Sequence, residues 1–229
     1  MSIPESAFHR RFDQNMPRQA LLALAVTVAY RHLHSKEYAT DKFGEVGAAR
    51  CGLMRWIATD ADVFRIMRSG FAGVSAKLVD TPANGGKHLE VKCGEFNILL
   101  IHDVDPDAIV PISEYGKKAA KKNEAPLFVS DEQWEAENPT PKPSIYTAVL
   151  FHSKESTHAL PCVLEIRFPD GKTGYQAPPI NLHERFPELR NQDDVNRLRS
   201  QMFARVMATT EVVEDQSHPT VRKAHQAEG

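Results

Sequence analysis

Residues 87–104, KHLEVKCGEFNILLIHDV, decide how this chain folds, because an alternating run and a continuous apolar run meet there across a turn. Leu89, Val91 and Cys93 alternate with His88, Glu90 and Lys92, so a strand over 87–93 sets an apolar row on one face and a polar row on the other. Gly94 and Glu95 supply the turn. Residues 96–101, FNILLI, are then apolar at nearly every position, as in a strand covered on both faces. Just upstream, Val74, Ala76 and Leu78 alternate with Ser75, Lys77 and Val79, and the turn formers TPANGG at 81–86 link that strand to the next. The reading is an antiparallel meander of three strands whose last arm is central.

Before the meander the pattern is helical. Residues 1–15 are polar and read as a loose arm. Pro17 suits a first helical turn, and Leu21, Leu24, Ala25, Val28 and Leu33 then mark one face of a helix to about residue 34, the central core helix. Its apolar run, ALLALAVTVAY at 20–30, is shorter than the about 20 residues that span a bilayer. Glu5 and Asp13 precede it, so it reads as a buried helix rather than a leader. Gly44, Gly47 and Gly52 weaken a second helix around 53–57. Thr59 and Asp62 have capping-box spacing ahead of Val63, Ile66 and Met67, and Gly70 stops that run.

After the meander come an acidic strand end and a short helix near 113–122. Pro126, Pro139, Pro141 and Pro143 then mark an irregular crossing segment. Strands over 145–152 and 162–168, with a short return at 173–176 after the turn Pro169-Asp170-Gly171-Lys172, extend the first sheet or pack on it. Residues 193–207 form a helix with Val195, Leu198, Met202 and Val206 on one face and Arg197, Arg199 and Arg205 elsewhere, a candidate contact surface. The class is α+β: a helical section over 1–70, a mainly antiparallel sheet unit over 71–208 that can form one continuous domain with 16–70, and a disordered tail over 209–229. No motif ties the chain to a known family.

With 41% hydrophobic and 25% charged residues over 229 positions, the chain is long and apolar enough to bury a core. A net charge of −2 excludes a surface coated with bases, although a local patch would not show in the total. Cys51, Cys93 and Cys162 are odd in number and lack a CxxC pair, which points to reduced thiols in the cytoplasm.

Three groupings carry candidate chemistry. Glu90-Val91-Lys92 has the (D/E)xK form of metal-dependent nucleases, with Asp80 as the second acid for Mg²⁺ and Lys92 facing developing charge on phosphate. Solubility alone also places Glu and Lys on the open face of a strand. Asp103, Asp105 and Asp107 follow an apolar strand, but Pro106 reads as a plain acidic turn. Lys117, Lys118, Lys121 and Lys122 make a cationic helix face able to grip nucleic-acid phosphates, with Tyr115 and Trp134 near enough in sequence to stack; a solvated face is the plain alternative. His32 and His34 diverge by about 200° on a helix and do not converge on a metal, while His88, His102, His152, His158 and His183 are scattered. No nucleophile elbow or phosphate-binding glycine loop is present in the sequence. The expectation is a non-enzymatic binding or regulatory protein, without cofactor or membrane contact, that acts through a protein or nucleic-acid partner; the alternative is the nuclease built on Asp80, Glu90, Lys92 and Mg²⁺.

Overall fold

The structure, a computed structural model, describes residues 7–80, 87–102, 123, 136, 145–153, 159–170 and 175–217. Helices α1 (Ala7–Asn15), α2 (Arg18–Ala49) and α3 (Cys51–Ser69) lead into strands β1 (Val74–Asp80), β2 (Lys87–Cys93) and β3 (Phe96–His102). Strands β4 (Tyr146–Ser153), β5 (Val163–Pro169) and β6 (Tyr175–Asn181) follow, then the short helix α4 (Leu182–Arg185), a 3₁₀ turn (Pro187–Arg190) and helix α5 (Gln192–Ser217). The α+β class expected from the sequence is therefore found.

All six strands form one sheet in chain order. The first meander pairs Val74 with Cys93 and Cys93 with Phe96, and the second pairs Leu150 with Ile166 and Ile166 with Ile180. Between them β3 and β4 run parallel, in register from Phe96 opposite Tyr146 to His102 opposite His152. The second unit thus extends the first sheet through a parallel joint. A parallel pair needs cover on both faces, and every residue of β4 is buried.

One face of the sheet carries Val91, Phe96, Ile98, Ala148, Leu150, Leu164, Ile166 and Phe168 into the core. Helix α2 lies in this core, with Ala20, Leu21, Ala23, Leu24, Ala25, Val26, Val28 and Ala29 fully buried. Its small side chains let the helix be enclosed nearly all round, which explains why the run read as one-sided is buried on several sides. It also continues well past residue 34, to Ala49, with a break at Gly44 (φ 58°, ψ −143°). His32 of α2 and His152 of β4 meet in the interior, Nε2 to Nδ1 at 2.7 Å, sharing one N–H between two rings.

Several expectations change. Residues 7–15 are not a loose arm but α1: Phe8 and Phe12, one helical turn apart, sit edge-on to Phe96, at 6.4 and 5.4 Å between centroids. The helices read at 53–57 and from 59 onward are one, and Thr59 is not a cap, because its hydroxyl donates to the Arg55 carbonyl within α3. The return strand lies at Tyr175–Asn181, where Pro178 and Pro179 are tolerated because β6 is an edge. Helix α5 runs on to Ser217, beyond residue 207 and into the segment read as a tail.

The turn between β2 and β3 is locked to α1. Gly94 has φ 51°, and Asn15 Oδ1 accepts the Glu95 N–H at 3.2 Å, while Arg11 grips the Glu95 carboxylate with two bonds of 2.6 and 2.7 Å. A Cβ on Gly94 would stand 1.8 Å from Asn15 Oδ1. Gly94→Ala is expected to lower unfolding free energy by about 1–3 kcal/mol through positive φ and this contact, measured by urea denaturation.

Candidate interaction surface

Helix α3 has two apolar faces. Ala58, Thr59, Asp62, Val63, Ile66 and Met67 recur at helical spacing and are buried against the body of the protein. Leu53, Trp56, Ile57, Asp60 and Phe64 also fall at intervals of three, four, seven and eleven, on a second stripe that is exposed at Leu53, Trp56 and Ile57 and turns into the protein at Asp60 and Phe64, the latter packed against the core. Leu53, Trp56 and Ile57 are exposed, as are Phe43 and Val46 at the end of α2, with exposures between 41% for Trp56 and 69% for Val46. Together they form an apolar tip on the helical hairpin.

The backbone shapes this tip. After Gly44 the last turn of α2 doubles back, so that a Cβ on Gly47 would lie 2.0 Å from the Ala39 carbonyl oxygen. That close approach needs glycine. Phe43 and Val46 flank the reversal, and Leu53, Trp56 and Ile57 occupy the first two turns of the returning helix.

Within the stripe stands one ionisable group. Asp60 accepts a hydrogen bond from the Trp56 side chain, and burial pushes its carboxyl up to about 7. Its Oδ1 is buried without a hydrogen-bond partner among the described residues. A carboxylate held this way among apolar groups is under-satisfied.

Ion pairs hold the base of the hairpin. Asp62, nearly buried, receives Arg31 of α2 at 2.6 Å and Arg199 of α5 at 3.3 Å. Arg199 also lies 3.0 Å from the Phe203 ring centroid and 4.8 Å from that of Tyr30. Arg55 Nε donates to Ser35 Oγ at 3.0 Å, binding α3 to α2 nearer the tip. The stripe therefore rests on a fixed scaffold.

The residues singled out from the sequence fall elsewhere. Asp80 stands opposite Lys87 and Glu90 opposite Lys77, so alternation puts the two acids on opposite faces of the sheet. Asp80 pairs with Lys87 at 3.3 Å. The Glu90 carboxylate is engaged by Lys77 at 3.3 Å, His88 at 3.3 Å and Asn97 at 3.1 Å. Lys92 shares the Glu90 face and is exposed, but Asp80 does not join them. Among the described residues no group of three or more His, Cys, Asp or Glu is placed to hold a metal, so these residues do not fit the Mg²⁺ of the nuclease reading. Asp103, Asp105, Asp107, Lys117, Lys118, Lys121 and Lys122 lie outside the described residues, as do Tyr115 and Trp134.

A cleft of about 450 Å³ opens beside β5 and α4, lined by Leu160, Pro161, Cys162, His183, Leu189 and Arg190, among others. His183 Nε2 bonds the Pro161 carbonyl at 3.0 Å, and burial lowers the pKa of the ring. The Cys162 thiol donates to the Ser153 carbonyl at 3.4 Å. Thiol and imidazole are each tied to backbone, so neither is set to activate the other.

No helix among the described residues is long and apolar enough to cross a membrane. Comparison of the chain with protein-family models, with curated proteins and with solved structures returns no match.

Two outcomes follow for the hairpin. Asp62→Ala leaves Arg31 and Arg199 without their shared carboxylate and is expected to cost about 3–4 kcal/mol, read by denaturant unfolding. For Asp60 the folded-state pKa stands above its unfolded value near 3.8. The folded chain thus holds this proton while the unfolded chain releases it, and stability falls as pH rises from about 4 through 7. In dilute protein Asp60→Asn is expected to remove that slope and to gain on the order of 2 kcal/mol at about pH 8, none at about pH 4. Melting profiles across pH measure it.

Proposed function

We propose that this chain is a non-enzymatic binding protein that docks on a protein partner through the apolar tip of the α2–α3 hairpin. The observation that carries this reading is the second stripe of α3: Leu53, Trp56 and Ile57, with Phe43 and Val46 beside them, are exposed on helices already packed on the core through other residues. Exposed apolar groups gathered at one place mark interaction sites on soluble proteins. Tryptophan and other aromatics dominate the energetic centre of such interfaces. The spacing of the stripe suits a helix–helix contact, read through anchors three and four residues apart.

The other readings draw less support. A nuclease of the (D/E)xK type needs Asp80 and Glu90 around one Mg²⁺, and the β1–β2 register separates them. The nucleic-acid reading rested on lysines outside the described residues and on the arginines of α5, of which Arg197 pairs with Asp194 and Arg199 with Asp62, and an apolar stripe offers phosphate no donor. The free thiols Cys51, Cys93 and Cys162 support a reducing compartment such as the cytoplasm.

A photo-crosslinking amino acid introduced at Leu53 of the full chain, expressed in its host, tests the reading. Illumination is expected to join the chain to a protein through position 53 and not through a control at Arg197 on α5, which is exposed. Equal labelling at both positions, or none at 53, overturns it.

A further inference from the structure

We infer that the cleft beside β5 and α4 is a second binding site, one for a small organic monoanion: a carboxylate carried on a short apolar body. The cleft shares no residue with the hairpin tip, so this inference stands or falls apart from the docking reading.

The walls set the chemistry of the ligand. Leu160, Pro161 and Leu189 give the cleft an apolar lining, and its volume of about 450 Å³ lies in the range that holds small molecules. Among the described residues that line it, Arg190 is the one that is always charged, and there is no Asp or Glu. Arg190 is exposed and makes no hydrogen bond or ion pair with the described residues. Its charge reaches the His183 ring. Glu165 acts on that ring as well, but Arg167 holds its carboxylate at 2.9 Å.

The remaining polar groups are committed in a way that leaves donors rather than acceptors. Asn181 Oδ1 accepts the N–H groups of His183 and Glu184, at 2.9 and 3.3 Å, so what Asn181 has left to offer is its NH₂ group. Burial lowers the pKa of His183, so the ring adds no charge at neutral pH, and its Nε2 bonds the Pro161 carbonyl. The Cys162 proton goes to the Ser153 carbonyl.

One guanidinium matches one carboxylate through two parallel hydrogen bonds. A phosphate dianion brings a second charge that no cation in the lining meets. A neutral apolar molecule would take water from Arg190 without replacing it, and an amine would be repelled. The apolar walls meanwhile favour a ligand with a hydrocarbon part over a bare ion.

The test is an NMR titration of the purified full chain with sodium hexanoate, run beside 1-hexanol, hexylamine and inorganic phosphate at constant ionic strength. Hexanoate is expected to shift the His183 Cε1–H and the methyl signals of Leu160 and Leu189 saturably, with a Kd on the order of 1 mM. The methyl signals of Leu53 and Ile57 are expected to stay in place. Hexanol and phosphate should each bind at least about tenfold more weakly than hexanoate, and hexylamine not at all. Arg190→Ala, at an exposed position, should weaken hexanoate about tenfold while the rest of the spectrum stays that of the folded wild type, and Arg190→Lys should recover part of the loss.

No saturable shift well above that concentration overturns the site, as do shifts centred on the hairpin tip. Hexanol or phosphate binding as tightly as hexanoate overturns the carboxylate assignment. Hexanoate binding that is indifferent to Arg190→Ala overturns the part given to Arg190.

Discussion

The fold depends on the parallel pairing of β3 with β4. Each flanking meander is antiparallel and bounded by short turns, and neither alone has a strand that must be covered on both faces. Joining them in register along seven residues creates a sheet whose middle is buried above and below. That demand explains much of the rest. Helix α2 is rich in alanine where it crosses the core, because a bulkier helix would be held off the sheet. Helix α1 closes the end of the core with Phe8 and Phe12 against Phe96 and Phe168. Two of the polar side chains that remain inside meet each other, His32 Nε2 with His152 Nδ1.

Charge organises the helical layer in the way that apolar packing organises the sheet. Asp62 gathers one arginine from α2 and one from α5, so three helices converge on a single carboxylate. Two cations on one acid leave a positive surplus, and the rings of Tyr30 and Phe203 stacked with Arg199 help to hold it. Burial lowers the pKa of Arg199 while Asp62 opposes that shift. Such an arrangement contributes geometric definition more than net stability. It fixes the angle at which α3 leaves the body of the protein, and with it the direction of the tip.

The meander was legible because alternation in 74–79 and 87–93 is a local signal, and the strand ends at Lys87, Cys93 and Phe96 coincide with those read from the sequence. The parallel joint was not, since its two strands are separated by more than forty positions and nothing local marks them as neighbours. Helix α1 was hidden by polar residues around Phe8 and Phe12, although their spacing by one turn was the available sign. The fault in the paired acids was one of register: with residues 80 and 87 opposite, 90 must face 77, and Asp80 and Glu90 fall on different sides. The stripe on α3 was present in the sequence as well. It was overlooked because a helix was credited with one apolar face, and the glycines around it suggested an interruption.

Leu53, Trp56 and Ile57 stay exposed on a helix that is already packed through its other residues, and this is the strongest physical reason to read them as a contact. Its buried face already supplies the packing against α2, α5 and β1, and Arg55 with Ser35 secures the hairpin nearer its end. Solubility alone would favour Lys, Glu or Gln at positions 53, 56 and 57. With a net charge of only −2, the chain has little overall repulsion to keep such apolar tips apart. An unguarded stripe would therefore attract any apolar surface. Asp60 takes no part in that attraction: its Oδ1 is already enclosed by the chain, and the Trp56 side chain donates to its carboxyl. Attraction comes from the aromatic and aliphatic groups, and the scaffold of Asp62 with Arg31 and Arg199 fixes the shape in which they are presented.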